Sequence, residues 1–166
     1  MKTLNLVITS GLNAHLCALV DGAPVKLAKN KMGSYEGVYT TEKDTVELCV
    51  YKYLELKSKL WLLMSLVFFV VSLFGILSPR YDRHCVTIEY KASIKLKDNT
   101  DVTLSSNKFV DNGKAFELTS NAEVNETTNL IYTDKVAKKR LRILRAIEAV
   151  LWVALIAMII ALIAKR

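Results

Sequence analysis

Between Lys59 and Arg80 lies a stretch of twenty residues without a charge, LWLLMSLVFFVVSLFGILSP. No other feature restricts the fold as much. Thirteen of residues 60–78 are Leu, Ile, Phe or Val. As a helix, those nineteen residues reach about 28 Å, close to the hydrocarbon thickness of a bilayer. Each large aliphatic or Phe contributes roughly −0.3 to −0.6 kcal/mol to insertion near the centre, so transfer into lipid is favourable by several kcal/mol. Trp61 and Tyr81 stand where interfacial aromatics belong, and Pro79 ends the helix. The run has no polar face that would suit the core helix of a water-soluble protein.

A second apolar run closes the chain, AIEAVLWVALIAMIIALIAKR, with Glu148 followed by sixteen uncharged residues. Glu148 lies at the entry end, three residues after Arg145, close enough to pair with it or to snorkel. Two such runs predict a two-pass integral membrane protein. Small residues suggest how the spans pack. Ala154, Ala157, Ala161 and Ala164 fall in one helical stripe, and Ser65, Ser72 and Gly75 in another. Small faces let helix backbones approach closely in lipid, so the two stripes are expected to meet, within one chain or between copies.

The remaining residues alternate like strands. HLCALVDGAPVKL reads as a hairpin turning at Asp21-Gly22, and GSYEGVYTTEKDTVELCVYKY as another turning around Glu42 to Asp44. Val46, Leu48 and Val50 share one face, while Cys49, Tyr51 and Tyr53 make the other partly apolar, which predicts a central strand. Val86, Ile88, Tyr90, Ala92, Ile94 and Leu96 alternate without a break with polar residues, a long strand with one dry face. Asp98-Asn99 then turns the chain into DVTL, the phase slips near Ser105 to Asn107, and Asn112-Gly113 suits a type I′ turn. The expected fold class is therefore an α+β membrane protein, two transmembrane helices with small antiparallel, sandwich-like β parts outside the bilayer. Its parts are a β domain at 1–58, a span at 59–79, an antiparallel β region at 80–133, a basic amphipathic helix at 134–145 and a span at 146–164. Each β part alone is near the lower size limit for a stable core.

The net charge of +7 has a local source. In YTDKVAKKRLRILRAIEAV, with Thr133 or Asp134 as the cap, Lys135, Lys138, Lys139, Arg142 and Arg145 fall in one helical arc of about 120°. Apolar residues fill most of the rest and Arg140 alone intrudes. Such a segment running into a span points to anionic lipid headgroups, each cation contributing on the order of 1 kcal/mol. Basic and aromatic residues do not interleave as on a base-stacking platform, so nucleic acid is not an expected partner. Within twenty residues of the runs the middle region carries eleven Lys and Arg and the other side six, which places 80–145 in the cytoplasm of a multi-pass cell-membrane protein. If the first run dips or lies flat instead, both β parts share one side and can share a sheet.

Catalytic signals are weak. Cys17, Cys49 and Cys85 form no CxxC or metal spacing, which suggests reduced, mostly buried thiols. In RYDRHC, Asp82, His84 and Cys85 are adjacent, but His84 and Cys85 point to opposite faces of a strand. No phosphate-cradling loop, serine elbow or metal motif is present, so no catalytic, cofactor-binding or metal-binding residue and no cofactor is assigned. The N-terminus lacks the continuous apolar core of a signal peptide, and the chain is expected to start at Met1. The function expected is a non-enzymatic, membrane-anchored interaction or scaffold protein. It would act with a protein partner or as a homo-oligomer within a membrane assembly, using edge residues around Lys108 to Lys114. The alternative is a membrane sensor or accessory subunit with a small-ligand pocket between its β parts.

Overall fold

A computed structural model describes residues 1–9, 16–63, 66–67, 70 and 85–164 of the chain. The chain divides into a β unit, Met1–Tyr53 with Val86–Thr133, and a second unit, Leu54–Cys85 with Asp134–Arg166.

The β unit holds β1 (Lys2–Thr9), β2 (Leu16–Val20), β3 (Ala23–Val25), β4 (Ala28–Lys29), β5 (Tyr35–Thr41) and β6 (Thr45–Lys52) before the first apolar run. After it come β7 (Val86–Lys95), β8 (Asn99–Ser106), β9 (Phe116–Ser120) and β10 (Val124–Thr133). They form two five-stranded sheets, ordered β4-β5-β1-β8-β9 and β10-β7-β6-β2-β3. Among the described residues only β1 and β8 pair in parallel. Alternation turns Leu4, Leu6 and Ile8 of β1 and Val102 and Leu104 of β8 toward one core. From the other sheet it adds Val46, Leu48 and Val50 of β6 and Ile88, Tyr90 and Ile94 of β7. The segments on either side of the first apolar run thus interleave and share one core. Neither completes a core of its own.

The expected dry face of β7 is buried from Val86 to Leu96. β6 is central, as its two-sided pattern requires, with Cys49 and Tyr51 half-buried on the outer face. Asp21 and Gly22 both take positive φ, 50° and 78°, and join β2 to β3 as a type I′ turn. Two other expected hairpins are crossovers. β5 and β6 lie in different sheets, and so do β7 and β8, so Glu42 to Asp44 and Asp98-Asn99 carry the chain across the sandwich. Asn112 is left-handed (φ 62°), but Gly113 is not, and no type I′ turn forms there. Gly113 donates instead to the Val110 carbonyl at 2.8 Å and bridges to Ile131 of β10. A Cβ on Gly113 would lie 2.9 Å from that carbonyl oxygen, so the close approach needs glycine. The break in pairing lies in β10, between Glu126 and Thr128, while the slip near Ser105 to Asn107 marks the end of β8.

The second unit contains α1 (Lys135–Ala164), thirty residues and about 45 Å of unbroken helix. The basic segment and the second apolar run are therefore one element. Among the described residues α1 is the one helix long and apolar enough to cross a membrane, where two were expected. Much of the first run lies outside the described residues, Ser65, Ser72 and Gly75 among them. The strands on either side of it are hydrogen-bonded neighbours, with Tyr51 opposite Glu89. A two-pass chain would separate those strands by a bilayer, so the two-pass reading is not supported.

Tyr90 is the largest fully buried side chain of the core and packs edge-on against Phe116, ring centroids 5.9 Å apart. Its hydroxyl is buried with no hydrogen bond of good geometry, the Glu126 carboxylate being near enough only to interact weakly with it. Burial, and then the nearby Glu126 charge, push its ionisation far above the usual tyrosine range. Removing an unpaired buried hydroxyl relieves a desolvation cost, whereas deleting the ring opens a cavity. Thermal unfolding of the full chain in detergent should show Y90F at or above wild-type stability, by up to about 1 kcal/mol. Y90A should lose about 3–5 kcal/mol. A clear loss in Y90F would mean that the hydroxyl is satisfied.

Candidate functional site

The candidate site is the start of α1, built within the second unit. Asp134 caps the helix, its carboxylate accepting from the Ala137 amide at 2.9 Å, while its own amide donates to the Cys85 carbonyl at 2.8 Å. The Lys57 ammonium lies 2.6 Å from the other carboxylate oxygen. Burial pushes the Asp134 carboxyl up, but Lys57 and the Ala137 and Val136 amides outweigh it and hold the group below its ordinary value.

Ala137, Leu141 and Leu144, spaced four and three apart, form one buried stripe of α1. They pack with Leu54, Leu56 and Cys85. Leu54 and Leu56 flank Glu55 in a 3₁₀ turn, Glu55–Lys57. Arg140, the residue that broke the apolar pattern, donates to the Leu56 and Ser58 carbonyls at 2.6 and 3.2 Å. Its guanidinium lies 5.2 Å from the centre of the Trp61 ring. Those carbonyls lie within and just after a helical turn too short to satisfy them, and Arg140 supplies the missing donors.

Lys135, Lys138, Lys139, Arg142 and Arg145 are all exposed, on the side of α1 away from the buried stripe. The arc expected from the sequence thus points outward as a single cationic face. Ala154, Ala157, Ala161 and Ala164 are also exposed, and their expected partners Ser65, Ser72 and Gly75 lie outside the described residues. Asp82 and His84 lie outside them too, while Cys85 is buried beneath the helix start. None of the three cysteines is in a disulfide. Cys17 faces Tyr51 and Cys49 faces Leu19 across β2 and β6, a diagonal placement at about 7–8 Å that a disulfide does not span. Burial raises the Cys49 thiol above its ordinary value. Among the described residues no group of three His, Cys, Asp or Glu is arranged to hold a metal.

Two site residues were hard to foresee. Lys57 and Leu56 precede Asp134 and Arg140 by more than seventy residues, and no local spacing links them. Arg140 carried a signal, as the one cation outside the basic arc. Comparison with known protein families, with characterised proteins and with solved structures returns no match.

Replacing Asp134 tests the collar. D134A removes the cap and the partner of Lys57 and should cost about 1–2 kcal/mol. That corresponds to a melting temperature lower by roughly 2–8 °C for a chain of this size. The Asp134 carboxyl is held below its unfolded value, so its stabilisation is complete above the unfolded pKa and is lost as pH falls through the folded one. D134N should therefore flatten the acid limb of stability below about pH 4, relative to wild type. An unchanged acid limb would count against the Lys57–Asp134 pair.

Proposed function

We propose that this chain is a non-enzymatic, membrane-anchored scaffold that holds its β unit on the cytoplasmic face of a membrane and presents it to a protein partner. The observation that carries the reading is the uncovered apolar surface of α1, with Val150 69% and Ile163 70% exposed. Nineteen apolar-rich residues, 146–164, reach about 28 Å and match the hydrocarbon layer. In water that surface would be a large aggregation liability.

The unbroken helix gives the cations different depths. Arg142 and Arg145 lie within about 6 Å of the start of the apolar stretch, at headgroup level. Lys135 is about 16 Å out along the axis, and it and its neighbours reach the headgroups only along their side chains or through helix tilt. Six Lys and Arg between 135 and 145 support a cytoplasmic entry. The pairing of β6 with β7 then carries residues 1–53 to the same side as 86–133, so no part of the β unit has to cross.

For the partner, the support is the connection between β8 and β9. It carries Phe109 and Val110, 46% and 63% exposed, between Lys108 and Lys114. Asp111 accepts from the Thr133 amide at 2.7 Å and Asn129 accepts from the Ala115 and Phe116 amides, so the tip is anchored rather than free to fold inward. An anchored apolar tip flanked in sequence by Lys108 and Lys114 suits an acidic protein partner.

Three measurements test the reading. The full chain should stay with the membrane pellet after alkaline carbonate extraction, and release into the supernatant would overturn the anchor. F109D/V110D should leave extraction behaviour and melting unchanged while losing the proteins that co-purify with wild type. Among lipids that co-purify, R142Q/R145Q should lower the anionic fraction more than K135Q/K138Q.

A further inference from the structure

Two open sheets present four edges, and an edge with unpaired backbone groups is a template for another strand. Three of these edges are blunted. The type I′ turn pairs Val20 with Ala23 and Ala18 with Val25, so Pro24, which has no N–H, is the residue of β3 turned outward. Asn129 of β10 accepts from the Ala115 and Phe116 amides and donates to the Phe116 carbonyl, and Ile131 donates to Gly113. Those bonds lace β10 to the start of the short strand β9, and a bulge between Glu126 and Thr128 interrupts the rest of β10.

The fourth edge is open. β4 covers only the start of β5, with Ala28 opposite Glu36 and Lys29 opposite Tyr35. In that register the Asn30 amide donates to the Ser34 carbonyl at 2.8 Å, so the even-numbered residues of β5 turn their backbone groups away from β1. The other side of β1 gives the same phase. There the Thr3 amide donates to Asp98, ahead of β8, which leaves Leu4 and Leu6 to bond Tyr39 and Gly37 of β5. Beyond β4, the N–H and C=O groups of Val38 and Thr40 therefore point outward and meet no partner among the described residues. Lys26 and Leu27 do not screen them, because they pass beneath Gly37. A Cβ on Gly37 would lie 3.0 Å from Leu27 Cδ2 and 3.3 Å from the Lys26 carbonyl oxygen. Val38 itself is 65% exposed.

The side chains around this edge select its occupant. Glu36 and Glu42, both exposed, flank it, and the Asn30 side-chain amide donates to Glu36 at 2.7 Å. A second copy using both outward residues would set Val38 against Thr40, and would also set Glu36 against Glu42 at each end. Like charges placed directly opposite disfavour that pairing, and cations there favour it. On the inner side, Leu27 and Tyr39 pack against the core yet stay partly exposed, which suits apolar side chains at alternate positions. We propose that Gly37–Thr41 binds an extended, amphipathic segment of a partner protein by strand addition, with basic side chains near Glu36 and Glu42. The segment exchanges N–H···O bonds with Val38 and Thr40. This edge lies on the opposite side of its sheet from β9, and the proposal holds whether or not α1 spans a membrane.

Amide hydrogen exchange on the full chain in detergent tests it, with an acetylated peptide Lys-Val-Thr-Val-Thr-Val-Lys as the probe. Its lysines meet Glu36 and Glu42 when the central valine lies opposite Tyr39. Protection should appear at Val38 and Thr40, while the Gly37 and Tyr39 amides, already bonded to β1, should not change. T40P removes an outward donor without touching the β1 ladder, so melting should hold and the protection at Val38 should be lost. E36Q/E42Q leaves the backbone intact and should weaken the peptide about 2- to 30-fold. No protection at millimolar peptide would overturn the proposal. Equal binding of the same peptide with Glu in place of Lys would overturn the basic partner. Protection of Val38 and Thr40 that rises with protein concentration, with no peptide present, would give the edge to a second copy and overturn it too.

Discussion

The rest of the molecule depends on the antiparallel pairing of β6 with β7. It joins what looks in the sequence like two small β parts into a single sandwich, because β7 brings Ile88, Tyr90 and Ile94 against Val46, Leu48 and Val50. The sequel of β7 supplies the second link. β8 lies beside β1 in parallel, which requires a crossover connection, here residues 10–98. Neither pairing is local, so the fold has high contact order, and its N-terminal strand has no complete sheet until β8 exists.

What the sequence disclosed follows from what alternation encodes. Period two tells which face of a strand is dry, and the dry faces of β6 and β7 were readable for that reason. It does not tell which neighbour a strand takes. β5 followed by β6, and β7 followed by β8, read as hairpins because their connections are short and polar, yet each connection crosses between sheets. At Asp21-Gly22 the turn chemistry was decisive, since both residues must take positive φ and both tolerate it. At Asn112-Gly113 the same chemistry misled, because Gly113 is needed for close approach to Val110 and for its bridge to Ile131. Hydropathy has the same blind spot. It measures whether residues 60–78 suit lipid, and says nothing of where the two ends of the run must be. The basic arc was legible in full, since helical periodicity alone defines it. The collar behind it was not, because Lys57, Asp134 and Arg140 meet only through the fold.

The collar also explains an apparent inefficiency in the polar groups of the second unit. Asp134 is almost buried, an expensive place for a carboxylate. Its charge is spread over two tasks, capping the amide of Ala137 and meeting Lys57. Arg140 is half-buried and similarly divided between two carbonyls and the face of Trp61. Each group thus satisfies backbone ends that neither the 3₁₀ turn nor the first turn of α1 can satisfy for itself. Leu54, Leu56, Cys85, Ala137, Leu141 and Leu144 add a small apolar seal. Such a seal is too small to be stable alone, and the ionic contacts give it one geometry rather than much energy.

Magnitudes weigh against the first apolar run as a full span. As a full span, its thirteen large apolar residues yield at most roughly 4–8 kcal/mol, before the costs of its serines and glycine. Spanning would carry β7 away from β6 and expose Val86, Ile88, Tyr90, Ile94 and Leu96, all now buried. At roughly 1.5–3 kcal/mol each, that loss is about 8–15 kcal/mol, before the ladder hydrogen bonds are counted. The pairing of β6 with β7, not the hydropathy of the run between them, therefore fixes the positions of the two strands that flank it.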